Sequence, residues 1–160
     1  MDKQKYFMQC MEQNSIQQIV AMNQVSGQFG LTLTEGEAGQ LAKSRMECLK
    51  EQQRVEFGST VLQKLIFAFC DSSYVDQENY ASVLQRLQDI FYQYKNESLD
   101  ELTDDELIAY MKEAFEGECC GSLEYLEETV LEQFAREIRA RGTYAIERSY
   151  TIRGRKKADE

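Results

Sequence analysis

Apolar residues recur every three or four positions along most of this chain, which is the spacing of one face of an α-helix. The pattern is densest from Val61 to Cys70 and most regular from Val83 to Tyr94. None of the 160 residues is proline, so the residue that interrupts helices most strongly is missing throughout. The sequence therefore predicts an all-α bundle of five to six helices joined by short loops.

Short polar signals predict where several of these helices begin. Thr34–Glu37 and Thr103–Glu106 both have the spacing of a capping box, in which the Thr hydroxyl and the Glu carboxylate each accept a backbone amide of the other residue. Ser59 and Ser122 precede apolar helical patterns and are candidate N-caps. A further helix is expected to begin at or near Asp76.

The chain is expected to form one helical domain over residues 1–142, followed by a basic tail over residues 143–160. The first helix is expected within residues 16–25, with a weaker signal for an upstream extension through Tyr6–Met8. Gly142 is expected to end the last helix. Residues 54–58 break the helical spacing and are expected to form a linker or a very short strand. The tail begins with alternating apolar and polar residues, so we expect it to be partly extended or disordered.

Charge is distributed unevenly along the chain. The sequence holds 28 acidic and 18 basic residues, a formal net charge of −10. Residues 97–132 contain 13 acidic residues and a single base, Lys112. Such a block repels phosphate backbones, so we do not expect the helical body to bind nucleic acid.

The tail has the opposite character. Arg153, Arg155, Lys156 and Lys157 form a compact basic cluster preceded by Tyr144 and Tyr150. Proteins that bind single-stranded nucleic acids combine cations and aromatic rings in this way. A solvated C-terminal segment is the simpler interpretation, and contact of this cluster with nucleic acid, a membrane surface or a partner protein is the alternative hypothesis.

The residue types that are absent exclude several chemistries. The chain has no histidine, which removes Ser-His and Cys-His catalytic pairs and histidine metal ligands. Its five cysteines lack C-x-x-C spacing, so a structural zinc site is not expected, and no cofactor is predicted. Cys119 and Cys120 are adjacent and are the candidate redox pair, although ordinary free thiols at a helix–helix joint are the simpler interpretation.

Carboxylates are the remaining catalytic-type groups. Glu113 with Glu116 and Glu124 with Glu127 have E-x-x-E spacing, which places two carboxylates on one face of a helix. All-α nucleotide pyrophosphatases build magnesium sites from such pairs, usually together with a second, Asp-containing pair downstream. The next Asp in this chain is Asp159, in the tail. A magnesium-dependent hydrolase is therefore an alternative hypothesis, and solvated helix faces are the simpler interpretation.

Nothing in the sequence predicts a membrane location. The N-terminal residues lack the apolar stretch of a signal peptide. The longest apolar run, Leu65–Cys70, has six residues, whereas a membrane-spanning helix needs about 20. We therefore expect a cytoplasmic protein with no membrane span.

Several segments together resemble a family of small helical proteins from Firmicutes-type bacteria, known as a domain of unknown function. The likeness covers about residues 30–140. It is carried by Arg54–Gly58, by the stretch from Tyr80 to Ser98, by Asp104–Ile108 and by Gly121–Leu126. The resemblance implies a bacterial cytoplasmic protein without an established activity, so it assigns no site residues.

The leading functional hypothesis is a protein-interaction or regulatory module that uses an acidic helical surface. A complete helical core without an assembled catalytic set favours this hypothesis, as does the polarised charge distribution. The expected partner is another protein. The sequence leaves open whether the chain also associates with itself.

Overall fold

Helices are the only regular secondary structure in the part of the chain that the computed structural model describes, residues 3–56 and 58–141. In chain order they are α1 (Lys3–Ala21), α2 (Asn23–Ser26), α3 (Glu35–Glu51), α4 (Thr60–Phe69), α5 (Tyr80–Glu97), α6 (Asp104–Glu116), α7 (Leu123–Tyr125) and α8 (Leu131–Arg141). A 3₁₀ turn, Gly27–Phe29, follows α2, and a π-helical turn, Leu126–Val130, joins α7 to α8. Six of these helices have ten or more residues, which confirms the predicted all-α bundle.

Helix α4 lies at the centre of the core because it is apolar around most of its circumference. Its buried side chains are Val61, Leu62, Leu65, Ile66 and Phe69. It packs against α5 and α6, and the ring of Phe69 meets the edge of Phe115 with centroids 5.5 Å apart. None of the described helices is both long enough and apolar enough to cross a membrane.

Both predicted capping boxes are present. The Thr34 hydroxyl accepts the amide of Glu37 at 3.1 Å, and the Glu37 carboxylate accepts the amide of Thr34 at 2.9 Å. Thr103 and Glu106 make the same reciprocal pair at 3.1 and 3.0 Å. The hydroxyl of Ser122 accepts the amide of Tyr125 at 3.2 Å, as expected for the N-cap of α7.

The start of α5 was predicted too early, because a turn made by polar side chains precedes the helix. Asp76 and Asn79 accept each other's backbone amides at 2.9 Å and close a turn, so α5 begins only at Tyr80. Helix α4 begins at Thr60, as predicted, with Ser59 in the N-cap position. Ser59 makes no side-chain cap bond, and its hydroxyl donates to the side chain of Gln18 at 2.8 Å.

Three further boundaries follow from the structure. Helix α1 begins at Lys3, so it includes the weakly signalled upstream extension, and it ends at Ala21, before the expected end at residue 25. The part of 54–58 that the structure describes forms no strand, because its polar groups bond to neighbouring helices. Gly142 and the tail, 143–160, lie outside the described residues.

Helices α3 and α5 run in the same direction. The side chain of Gln88 donates to the carbonyl of Leu41 near the middle of α3, at 3.2 Å. Two turns further along α5, Asn96 donates to the carbonyl of Gln52, just past the end of α3, at 3.0 Å. Because the two contacts advance together along both helices, the C-terminal ends of α3 and α5 lie side by side.

The capping geometry gives a stability prediction. Replacing Thr103→Ala removes one side-chain partner of the first turn of α6 and should lower the free energy of unfolding by about 1 kcal/mol. Urea unfolding followed by circular dichroism measures this loss. Thr32→Ala is the matched control, because the hydrogen bonds at Thr32 come from its backbone. Equal stability of the two variants would contradict the assigned role of Thr103.

Candidate functional site

Helix α3 ends in a Schellman motif, in which a residue with left-handed backbone geometry closes the last turn. The amide of Gln53 donates to the carbonyl of Lys50 at 3.2 Å, and the amide of Arg54 donates to the carbonyl of Leu49 at 2.8 Å. Gln53 is the left-handed residue, with φ of 57°. Glycine is the usual residue at this position because it lacks a Cβ.

Helix α5 ends in the same way, with a leucine at the left-handed position. The amide of Leu99 donates to the carbonyl of Asn96 at 2.9 Å, and the amide of Asp100 donates to the carbonyl of Lys95 at 3.1 Å. Leu99 has φ of 56°, whereas the turn after α2 uses a glycine, Gly30, with φ of 80°. A side chain in the left-handed region costs about 1–2 kcal/mol.

Burial does not compensate this cost, because the side chain of Leu99 is 62% exposed. A leucine contributes to folding mainly by leaving water, so an exposed one gains little. Within the folded chain, neither the backbone geometry nor the packing at position 99 favours leucine. Such a departure from local preference is typical of residues that serve binding or catalysis.

Side-chain hydrogen bonds join the two helix ends. The amide group of Asn96 donates to the carbonyl and to the side chain of Gln52, at 3.0 and 2.7 Å. Arg54 donates to the side-chain oxygen of Asn96 at 2.6 Å and forms an ion pair with Asp100. The exposed residues around this junction are Gln53, Val55, Leu99, Asp100 and Glu101. We call them the paired-end surface.

Hydrogen bonds of the next residue fix the loop that exposes Val55 to solvent. Its side chain is 84% exposed. The next residue, Glu56, accepts the hydroxyl of Tyr92 at 2.6 Å, and its backbone carbonyl accepts the guanidinium of buried Arg45 at 3.1 Å. Burial, together with the bond to Glu56, raises the pKa of Tyr92 well above its usual range, so this hydroxyl remains a donor. The loop that presents Val55 is therefore anchored to α3 and α5.

The paired-end surface has a negative electrostatic character. Two helices present their C-terminal ends here, and each end carries about half a negative charge. Glu51 and Glu101 add exposed carboxylates. Among the bases of these segments, Arg54 is already paired with Asp100, and Lys95 is buried against Asp104 at 3.0 Å. Lys50 also lies in the last turn of α3 and offsets part of the negative charge.

Most of the acidic block is neutralised within the fold. At least seven of the 13 acidic residues in 97–132 form ion pairs with Lys or Arg side chains. They are Glu97, Asp100, Asp104, Asp105, Glu116, Glu127 and Glu132. The long acidic run in the sequence is therefore not a continuous unpaired face in the structure.

The candidate magnesium residues are distributed over α6, α7 and the π-helical turn. Glu116 pairs with Lys112 at 3.5 Å, and Glu127 pairs with Arg86 at 3.8 Å. Glu124 is exposed, and Glu113 is half-buried. No cluster of three or more Asp, Glu, Cys or His side chains suited to a metal ion occurs within residues 3–56 and 58–141. Magnesium binding stays a prediction.

Cys119 and Cys120 lie in the tight turn between α6 and α7. The amide of Ser122 donates to the carbonyl of Cys119 at 3.0 Å, and positive φ values at Cys120 (48°) and Gly121 (84°) are those of a type I′ turn. Cys119 is buried and Cys120 is exposed, and both are free thiols. Burial, and secondarily the charge of Glu118, raises the pKa of Cys119 to about 11. A redox role for the pair stays a prediction.

The basic cluster of the tail, Arg153, Arg155, Lys156 and Lys157, lies outside the described residues. The paired-end surface itself was not predicted from the sequence. The sequence offers one signal. Helices often end with a glycine, but neither of the two positions after Glu51 or after Glu97 holds one.

Comparison with models of protein families shows which family this chain belongs to. A family model described as "Family of unknown function (DUF6323)" matches residues 18–144. The chain belongs to this family. The DUF6323 match includes both helix ends of the paired-end surface and confirms the resemblance noted from the sequence. No curated protein and no solved structure matches the chain.

The geometry at Leu99 predicts that one substitution stabilises the protein. Asparagine tolerates left-handed geometry better than leucine, so Leu99→Asn should raise the free energy of unfolding by about 0.5–1 kcal/mol. Urea unfolding measures the change. Phe29→Asn is the control, because Phe29 is also exposed, at 52%, but has no positive φ. A loss of stability in Leu99→Asn would show that the leucine packs favourably in the free protein.

The thiols predict an order of chemical reactivity. Near pH 8, a pKa of about 11 at Cys119 lowers the reactive thiolate fraction about 100-fold relative to a thiol titrating near 9. Burial and a hydrogen bond to Asp89 raise the pKa of Cys48 to about 12, which lowers that fraction further. Exposed Cys120 should therefore be alkylated by iodoacetamide before Cys119 and Cys48, as followed by peptide mass spectrometry. Equal rates at Cys119 and Cys120 would contradict this order.

Proposed function

We propose that this chain is a protein-interaction module that binds a basic segment of another protein at the paired-end surface. Leu99 carries the proposal, because an exposed leucine in left-handed geometry is unfavourable in the free protein. Burying a leucine completely yields about 1.5–3 kcal/mol, which is enough to offset a backbone cost of about 1–2 kcal/mol. A partner that covers Leu99 supplies this compensation.

The neighbouring residues give the surface the composition of a binding site. Val55 provides a second exposed apolar side chain, and the bonds of Glu56 to Arg45 and Tyr92 hold its loop in place. A preorganised loop loses little conformational entropy when a partner binds. Polar groups of Gln53 and Asp100 surround these apolar side chains, as in the rim of a protein interface.

Charge determines the kind of partner. Two helix C-termini and the exposed carboxylates of Glu51 and Glu101 favour cations at this surface. The preferred ligand is therefore a segment in which Lys or Arg accompanies one or two apolar side chains. This refines the expected acidic helical surface to one place in the fold, because ion pairs neutralise much of the remaining acidic block.

A cytoplasmic location is part of this proposal. Cys48, Cys70, Cys119 and Cys120 are free thiols in the described structure, which is the usual state in a reducing compartment. The magnesium-dependent hydrolase and the nucleic-acid contact stay as alternatives from the sequence. We rank them below the interaction module because no contact of the described residues supports them.

Peptide binding tests the proposal. The probes are short synthetic peptides in which Tyr or Ile alternates with Lys or Arg, compared with peptides of the same pattern carrying Glu. Fluorescence anisotropy should show binding of the basic set alone, and about 1 M salt should weaken it because the Debye length falls to about 3 Å. Leu99→Asn should weaken binding by about tenfold or more, as expected when a buried leucine is lost.

Phe29→Asn is again the matched control and should bind like the wild type. Equal binding of basic and acidic peptides would contradict the charge argument. Unchanged affinity in Leu99→Asn would contradict the position of the site.

A further inference from the structure

We infer that the basic tail of this chain, residues 143–157, docks on the paired-end surface of the same molecule and competes there with an external partner. The inference rests on the proposed function, because it takes the paired-end surface as the binding face. It adds to that proposal the segment that covers the surface, and it adds competition by this segment as the way in which partner binding is regulated. Three observations support it: the place where α8 ends, the composition of the tail, and the charge of the chain.

Helix α8, which precedes the tail in sequence, ends near the paired-end surface. Arg139, near the end of α8, forms an ion pair with Glu97 in the last turn of α5. Leu99 follows Glu97 by two residues, and α8 ends at Arg141. An extended chain advances about 3.3–3.6 Å per residue, so a few residues after Arg141 suffice to reach Leu99.

The composition of the tail complements this surface. Tyr144, Ile146, Tyr150 and Ile152 occupy alternate positions, so an extended segment would present them on one side. These side chains match the exposed apolar groups of Val55 and Leu99. The basic cluster that follows, Arg153, Arg155, Lys156 and Lys157, matches the carboxylates and the negative helix ends.

Charge favours the tail over a second copy of the chain at this surface. The net charge is −10, and a symmetric contact between two paired-end surfaces would bring two negative surfaces together. The tail is the strongly basic segment of the sequence, and it is tethered to the domain. A short tether gives an effective concentration in the millimolar range, which makes even weak docking extensive.

The family comparison is consistent with an added regulatory segment. The family match ends at residue 144, so the basic cluster lies beyond the part of the chain that the family model describes. The tail would therefore regulate a binding surface that lies within the part of the chain matched by the family model.

Zero-length cross-linking of the full chain tests the docking. A water-soluble carbodiimide joins a lysine amine to a carboxylate in direct contact with it, and peptide mass spectrometry identifies the pair. We expect Lys156 or Lys157 to be joined to Asp100 or Glu101, and about 1 M salt should abolish the product. An equal mixture of ¹⁴N- and ¹⁵N-labelled chains should give products within one chain.

Other cross-linking results overturn the inference. Cross-links between differently labelled chains would show that the tail binds a second copy. Cross-links of the tail confined to distant carboxylates, such as Glu35 or Glu78, would place it elsewhere. The absence of tail cross-links to any carboxylate would show that it does not dock.

A full-chain variant separates this inference from the proposed function. Replacing Arg153, Arg155, Lys156 and Lys157 with Gln removes the competing charges and should raise the affinity for the basic synthetic peptides about tenfold. Equal affinity in the wild type and the variant overturns tail docking and leaves the interaction module standing. Cross-links to Glu101 without peptide binding to either protein would overturn the external partner and support tail docking.

Discussion

The parallel packing of α3 against α5 is the constraint on which the candidate site depends. Since both helices stop at the same level, Asn96 can bond to Gln52 and Arg54 can bridge Asn96 and Asp100. These bonds hold three left-handed residues, Gln53, Leu99 and Asp100, at adjacent helix ends. The arrangement concentrates two negative helix ends and two exposed apolar side chains in one place.

The packing between these helices is not optimised for stability alone. Gln88 and Arg45 are buried in it, and the Oε1 atom of Gln88 and the Nε atom of Arg45 have no hydrogen-bond partner among the described residues. An unpaired buried polar group costs about 1–3 kcal/mol. Together with the left-handed Leu99, these groups show that the region retains unfavourable features, as binding sites commonly do.

Features that depend on residues close in sequence could be predicted, whereas features that depend on packing between helices could not. The capping boxes at Thr34 and Thr103 were predictable because they depend on residues three positions apart. The apolar period identified α4 as the central helix for a similar reason. The start of α5 was misplaced because the turn at Asp76 and Asn79 satisfies the same polar groups that a cap would use.

The paired-end surface was missed because its assembly depends on which helices are neighbours, which the missing glycines after α3 and α5 do not reveal. Nothing in the spacing around Leu99 indicates that α5 ends beside α3, and the acidic run suggested a negative face that ion pairs largely neutralise. The proposed binding surface therefore rests on the structure, while the all-α class and the basic character of the tail were already evident in the sequence.

Nuclear magnetic resonance of the variant with a neutralised tail tests the central claim most directly. Backbone couplings report φ at Leu99, and a soluble paramagnetic agent reports whether its methyl groups face water. The account predicts a positive φ and strong broadening of the methyl signals. A negative φ, or methyl groups as protected as those of Leu87 in the core, would contradict it.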